Sequence, residues 1–453
     1  MKKNHPFALF LAIGSVLTAF PAGAFAGLAA GQNPALAFEV HSIKRFMFDC
    51  AAVADIRAQF DGRGLLIVTE PVVPKPGEAA GFIGSTRNGI QNSYVIENTG
   101  GKLHVYIELR RPQYPIPPLT YIEQEVVFDN PQAGLSLVGT LSYPKTGGPF
   151  PAIVLIAGSG AHTRDEMVSL HKIFLVLADH LTRQGLAVLR YDKRGVGLSG
   201  GQADPDSTTD DYASDVGTAV RFLAIQPNVD PRKIGLVGHS EGGIIAPMVA
   251  ADTPEIAFIV MLAGTGLSGM EIRMHQENLL GRASGRDEKA VLANDRLNRS
   301  IYPMIIATKD NAAAIRKIRS AEKEVLTAEE RKLLEYPDQG FPDEAYRGLL
   351  TPWFRRFLEL DPRPYLARVR CPVLALNGGK DVQVLADENQ DEIKKALASG
   401  GNARTMVKKL PGINHMFQTA PTGMPDEYRN IVETFAPSAL ETISSWILGV
   451  VGQ

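Results

Sequence analysis

The sequence predicts a small, mostly β region followed by a large α/β domain with a mostly parallel sheet and a helical insertion. Three observations carry this. Short apolar runs recur in the second part: "AIVLIAG" from Ala152, "LAVLRYD" from Leu186, "KIGLVGH" from Lys233, "AFIVMLAG" from Ala257, "CPVLALNG" from Cys371 and "TMVKKLPG" from Thr405. Continuous apolar runs of this length suit strands buried on both faces, as in a parallel sheet. Helical patterns separate most of them, which is the rhythm of a doubly wound domain. The alternation fails once, between Gly264 and Cys371, where helix formers and charges dominate.

Taken in chain order, the first element is a secretory signal. "MKKNHP" supplies positive charge, Phe7 to Phe20 is an apolar run, and Ala24-Phe25-Ala26 is a small-x-small cleavage pattern. Cleavage is expected after Ala26, with Ala35-Leu36-Ala37 as the alternative site. The short run and the small residues behind it favour a cleaved signal over a retained anchor. Residues 38–115 read as the small, mostly β accessory domain, with strands in "GLLIVTEPVV" (Gly64 to Val73) and "KLHVYIELR" (Lys102 to Arg110). "RRPQYPIPPL" (Arg111 to Leu119) reads as a stiff extended linker. Residues 121–450 form the main domain. Its first pair, "YIEQEVVF" and "LSLVGTLSYP", alternates and should be antiparallel. Val168 to Gln184 carries a helical apolar face. The interval at about 268–362 reads as a helical cap, because of where it is inserted.

Hydrophobic residues are 45% and charged residues 21% of the chain, as in an ordinary globular protein. A formal net charge of -2 gives no pull toward nucleic acid or an anionic membrane. Cys50 and Cys371 fit neither a disulfide scaffold nor a zinc site and read as free thiols.

The chemistry centres on "GLVGHSEGG", Gly235 to Gly243. Gly238 and Gly242 flank Ser240, between a strand-like run and the helical "IIAPMVAA". A serine on a tight strand-to-helix turn is lifted above the carboxyl edge of the sheet, and the glycines make room for that turn. The hydroxyl then needs a base, and the base an orienting acid. His415 in "LPGINHMFQ" follows the last strand-like run and is the base candidate. The other histidines fall in the signal, the accessory region, helical patterns or the insertion. His239 adjoins the serine and should point away from it, and His162 is at most a lining residue. Asp381 in "LNGGKDVQV" is the acid candidate, ahead of Asp387 and Asp391 in the following helix. A turn or helix-cap role competes for Asp381. The chain order Ser240, Asp381, His415 is the one expected of this hydrolase architecture. The oxyanion donors are expected to be the N–H of Glu241 and that of Ser159, or alternatively Gly160, in "GSGAHTRDE". Asp192 and Arg194 read as a structural pair. No metal or other cofactor is called for, because no cluster has ligand spacing and "GSGAHT" lacks a phosphate-loop lysine.

The stretches "IAGSGAHTRDE", "RYDKRGVGLSGG", "DPRKIGLVGHSEGG", "CPVLALNGGKD" and "LPGINHMFQ" resemble the secreted bacterial serine esterases of the α/β-hydrolase superfamily, on its serine aminopeptidase-like branch. The resemblance runs from about Tyr121 to Leu448. It implies the α/β-hydrolase fold, a helical cap, hydrolysis of short-chain carboxylic esters, and a triad of Ser240, Asp381 and His415. The chain departs at Ala161-His162-Thr163, where relatives often carry Pro-Gln-Asp. The expected partner is therefore a small-molecule ester, with no nucleic acid and no membrane after signal cleavage, in a secreted or periplasmic protein. An imidazole base of ordinary pKa is protonated below about pH 6, so activity is expected to fall there. Peptidase, aminopeptidase or thioesterase activity on the same triad is the nearest alternative. From another class, a non-catalytic periplasmic binding protein is opposed by the intact triad.

Overall fold

The computed structural model describes residues 49–50, 79–85, 91–99, 102–109 and 111–452, apart from 338–339. The expected signal segment and the run from Gly64 to Val73 lie outside the described residues. Strands β1 (Asp49–Cys50), β2 (Ala79–Ser85), β3 (Gln91–Thr99) and β4 (Lys102–Leu109) form an antiparallel sheet in the order β1-β4-β3-β2.

The main sheet has eight strands. The alternating pair forms the antiparallel β5 (Tyr121–Asn130) and β6 (Leu135–Pro144). The apolar runs become β7 (Phe150–Ile156), then β10 (Ala187–Tyr191), β11 (Val229–His239), β12 (Phe258–Leu262), β13 (Val373–Gly378) and β14 (Thr405–Leu410). A two-residue hairpin, β8 (Met167–Val168) and β9 (His171–Lys172), precedes β10. The order across the sheet is β14-β13-β12-β11-β7-β10-β6-β5, parallel from β14 to β10 and antiparallel beyond. This is the predicted fold, an α/β-hydrolase sheet.

Both faces of the sheet are covered, which is why its strands read as continuous apolar runs. Along β7, Ala152, Val154 and Ile156 enter one core with α2 (Thr209–Ala224) and α3 (Gly242–Asp252). Ile153 and Leu155 enter the other with α1 (Ile173–Arg183) and the final helix, α11 (Pro437–Val451). Between β12 and β13 the chain forms α4 (Gly269–Ala283), α5 (Glu288–Ala307), α6 (Asn311–Val325), α7 (Ala328–Leu333), a 3-10 turn at Asp343–Leu350, α8 (Pro352–Glu359) and α9 (Arg363–Leu366). Helix α10 (Ala386–Ser399) then joins β13 to β14.

Two local readings change. The helical pattern from Val168 starts late, at Ile173, because Ser169 and Leu170 turn through positive φ (49° and 68°) to make the hairpin. The proline-rich stretch is no free spacer at its start. Arg111 donates to the carbonyls of Ile431 and Arg429, and Gln113 to that of Phe435. The Tyr114 ring is buried in the core beside α1.

The topology fixes where a site can form. From β7 the chain crosses to β10 on one side, then returns to β11 on the other. Loops leaving β7 and β11 therefore diverge at the carboxyl edge, and open α/β sheets bind ligands in that crevice.

Candidate active site

Ser240 follows β11 directly and has φ +53°, a conformation seldom adopted by residues with a side chain. Its N–H donates to the Leu262 carbonyl (2.8 Å), and its own carbonyl accepts from Gly243 (2.9 Å). The flanking glycines are sterically required. A Cβ at Gly238 would lie 1.9 Å from the Gly242 oxygen, and one at Gly242 would lie 2.0 Å from the Ile156 oxygen. Ser240 is partly exposed at the N-terminus of α3, a helix that is buried along nearly its whole length.

The structure brings the acid and base candidates together. Asp381 Oδ2 lies 2.8 Å from His415 Nδ1, with both side chains buried. Asp381 Oδ1 accepts the N–H groups of Gln383 and Val384, each at 2.8 Å. One carboxylate thus fills both roles weighed for it, closing the turn and orienting the imidazole. Gly378 lets the two loops approach, since a Cβ there would stand 2.1 Å from the Ile413 oxygen. Asp387 instead pairs with Lys409 at the surface, and Asp391 is exposed. Ser240 makes no side-chain hydrogen bond to His415 among the described residues.

His239 is the residue the sequence reading set aside. Its Nδ1 lies 2.9 Å from Glu166 Oε1, and its Nε2 lies 3.0 Å from the His415 carbonyl oxygen. Glu166 Oε1 also accepts the Gly158 N–H (2.7 Å). A carboxylate and a carbonyl both accept, so both ring nitrogens donate and His239 is an imidazolium. Burial opposes that charge, but the neighbouring Glu166 carboxylate outweighs it, and the net shift is upward. His239 therefore points away from the serine and holds the backbone of His415 in position. The only sequence signal for this was a histidine at the end of a buried strand.

The loop after β7 separates the two oxyanion alternatives. At Gly158 the N–H is bound by Glu166 and the carbonyl by Lys193 Nζ (3.0 Å). At Gly160 the N–H donates to Asp204 Oδ2 (2.7 Å), and the carbonyl accepts from His162 N (3.1 Å). The Ser159 carbonyl accepts from His162 Nε2 (2.7 Å). That leaves the Ser159 N–H without an acceptor among the described residues, so Ser159 and not Gly160 carries the spare donor. The Glu241 N–H, at the head of α3, is likewise without one. Ser159, Ser240 and Glu241 line the same cleft, of about 530 Å³ including its open mouth.

The rest of the cleft is mostly apolar. Ile244 comes from α3, Ile272 from α4, and Trp353, Phe354 and Phe357 from α8. The Glu241 carboxyl turns away, accepting from Thr209 Oγ1 (2.7 Å) and Trp353 Nε1 (2.9 Å). Burial pushes its pKa upward, opposed by Lys193. Asp192 and Arg194 do not pair with each other. The turn after β10 delivers Asp192 to Arg164 (2.9 Å) and Arg194 to Asp215 (2.7 Å). Burial of Asp192 and Asp215 makes both structural ion pairs.

A family model described as serine aminopeptidase, S33, matches residues 166–287. Esterase EstD of Thermotoga maritima is 27% identical over 314 residues, 68% of this chain and 63% of that protein. The uncharacterized protein PA2218 of Pseudomonas aeruginosa is 30% identical over 164 residues, 34% of this chain and 41% of that one. The aligned chain thus spans less than two thirds of either relative. Among solved structures, Est1E of Butyrivibrio proteoclasticus with ferulic acid bound has a TM-score of 0.43 at 16% identity, covering 72% of this chain and 100% of that one. The PA2218 crystal structure gives 0.44 at 17% identity, covering 74% and 95%. Sheet order and a serine at positive φ beside the switch point give the layout of an α/β-hydrolase fold, and the stretch that spans this turn is similar to the serine aminopeptidase, S33, family.

Proposed function

We propose that this protein is a serine carboxylesterase that hydrolyses short-chain carboxylic esters through an acyl-enzyme. The observation that carries the reading is the pair of spare N–H groups, Ser159 and Glu241, in the cleft that Ser240 lines. Ser240 Oγ attacks the ester carbonyl while His415 Nε2 accepts its proton, in a hydrogen bond that forms as substrate binds. Asp381 keeps the Nδ1 proton on the far side of the ring. The two N–H groups receive the oxyanion, a contribution typically worth about 10²–10³ in kcat per donor. The alcohol leaves with the proton from His415. Water, activated by the same ring, releases the acid.

The aminopeptidase alternative requires an acidic anchor for a free amine. Glu271 and Glu277 of α4 are both engaged in hydrogen bonds. Glu271 caps its own helix by accepting from Ser268 N and Oγ, and also binds Arg363. Glu277 accepts from Arg273, Tyr302, Asn294 and Asn298. Their saturation supports ester over aminoacyl substrates. Turnover of a p-nitrophenyl ester series against aminoacyl p-nitroanilides tests this. Ester hydrolysis with little amide cleavage is expected, and amide cleavage equal to or above ester cleavage would overturn it. Export, with the small β region retained after signal cleavage, completes the reading.

A further inference from the structure

The cleft holds one charged group that the reaction does not use. Arg273 of α4 lines it and is 5% exposed. The guanidinium carries five N–H donors. Nη1 donates to Gln276 Oε1 (3.1 Å) and Nη2 to Glu277 Oε1 (2.8 Å). The Nε–H is buried and has no acceptor among the described residues. A buried donor left unmade is costly, which singles out the position.

Glu277 does not depend on this arginine for its hydrogen bonding. Its carboxylate also accepts from Tyr302 Oη (2.7 Å), Asn294 Nδ2 (3.2 Å) and Asn298 Nδ2. Arg273 and Gln276 both line the cleft, and the guanidinium lies against the Phe354 ring there, 5.7 Å from its centroid. The helix that carries both is rigidly set. Ser268 and Glu271 form a capping box, and a Cβ at Gly269 would stand 1.7 Å from the Phe357 oxygen, so α4 sits directly on α8. Arg273 is the only cationic residue lining the cleft among the described residues. The other ionisable group there, Glu241, has its carboxyl tied to Thr209 and Trp353.

We infer that Arg273, with Gln276, is a recognition site for a carboxylate on the substrate, so that the preferred ester carries an anionic group beyond the scissile bond. This rests on the esterase reading of the same cleft. The acyl part and the alcohol part are two possible sources of the carboxylate. Guanidinium–carboxylate pairing is geometrically specific and strong when desolvated.

The test compares esters matched in size. p-Nitrophenyl hemiglutarate against p-nitrophenyl pentanoate puts the charge in the acyl part. 4-Acetoxybenzoate against 4-acetoxybenzamide puts it in the alcohol part. The expected result is an anionic preference of about 10–100-fold in kcat/KM in one arm, lost in Arg273→Met and partly restored in Arg273→Lys, while the neutral ester in that arm is turned over as in wild type. The arm that shows it identifies the source. An absent preference, or one that survives in Arg273→Met, would overturn the inference. So would equal losses on anionic and neutral esters, which mark a structural role. A thermal-shift measurement separates this from failure of the esterase reading. If no ester is hydrolysed, glutarate raising the Tm of wild type but not of Arg273→Met, with pentanoate inert, still supports the anion site. No shift with glutarate in that case removes both.

Discussion

Ser240 stands at positive φ between glycines that admit no side chain, so the chain accepts local strain to present one hydroxyl. Ser240→Ala is expected to lower kcat/KM for p-nitrophenyl butyrate by at least ~10³-fold with the Tm little changed. An unchanged rate would move the chemistry elsewhere. His239 makes a different kind of prediction. Replacing it with Leu removes one partner of a buried ion pair and leaves Glu166 Oε1 only the Gly158 N–H, at a cost of about 3–5 kcal/mol in stability. Chemical denaturation measures this, and a change near zero would contradict the imidazolium assignment. His162 fixes the Ser159 carbonyl, so His162→Ala should lower kcat by about 10-fold or more while KM stays within about twofold. Ser240, Asp381 and His415 could be singled out as candidates because each follows a strand-like run in the expected order. His239 and Glu166 were not, because their partnership spans 73 residues of sequence and leaves no local pattern.

At the scale of elements, the apolar runs were read as strands because a sheet covered on both faces needs no alternation. The short β8–β9 hairpin was missed. Its residues also fit a helical face, and tertiary partners decided the outcome. His171 in β9 is one of those partners. Its Nε2 donates to the Tyr428 carbonyl and its Nδ1 shares a hydrogen bond with Thr434 Oγ1, each at 3.0 Å. Burial, aided by Arg111, lowers its pKa to about 4. The sign follows directly. Between the ordinary histidine value of about 6.5 and pH 4 the unfolded chain binds a proton that the folded one does not, so stability falls with pH across that window. The loss is on the order of 3 kcal/mol by pH 4. Denaturation curves at pH 7 and pH 4.5 should show this slope reduced in His171→Gln. An equal slope in both proteins would contradict it.

At the scale of the whole molecule, the interval between β12 and β13 was legible as a helical insertion but not in its packing. Which of its side chains reach the cleft depends on how α4 and α8 pack, and that contact is backbone against backbone at Gly269 and Phe357. The proline-rich segment was misread for a related reason: the sites that receive Arg111 and Gln113 lie over 300 residues away. Export predicts a mature N-terminus at residue 27 or 38 when the full chain is expressed in a secretion-competent bacterium. N-terminal sequencing of the exported fraction checks this, and a protein retaining Met1 would contradict it. The central claim is that Ser240 is a nucleophile served by His415 and two backbone donors. Labelling with a fluorophosphonate, followed by peptide mass spectrometry, tests it most directly. The account predicts a single adduct on Ser240, formed much more slowly in His415→Ala. An unlabelled Ser240, or an adduct on another serine, would contradict it.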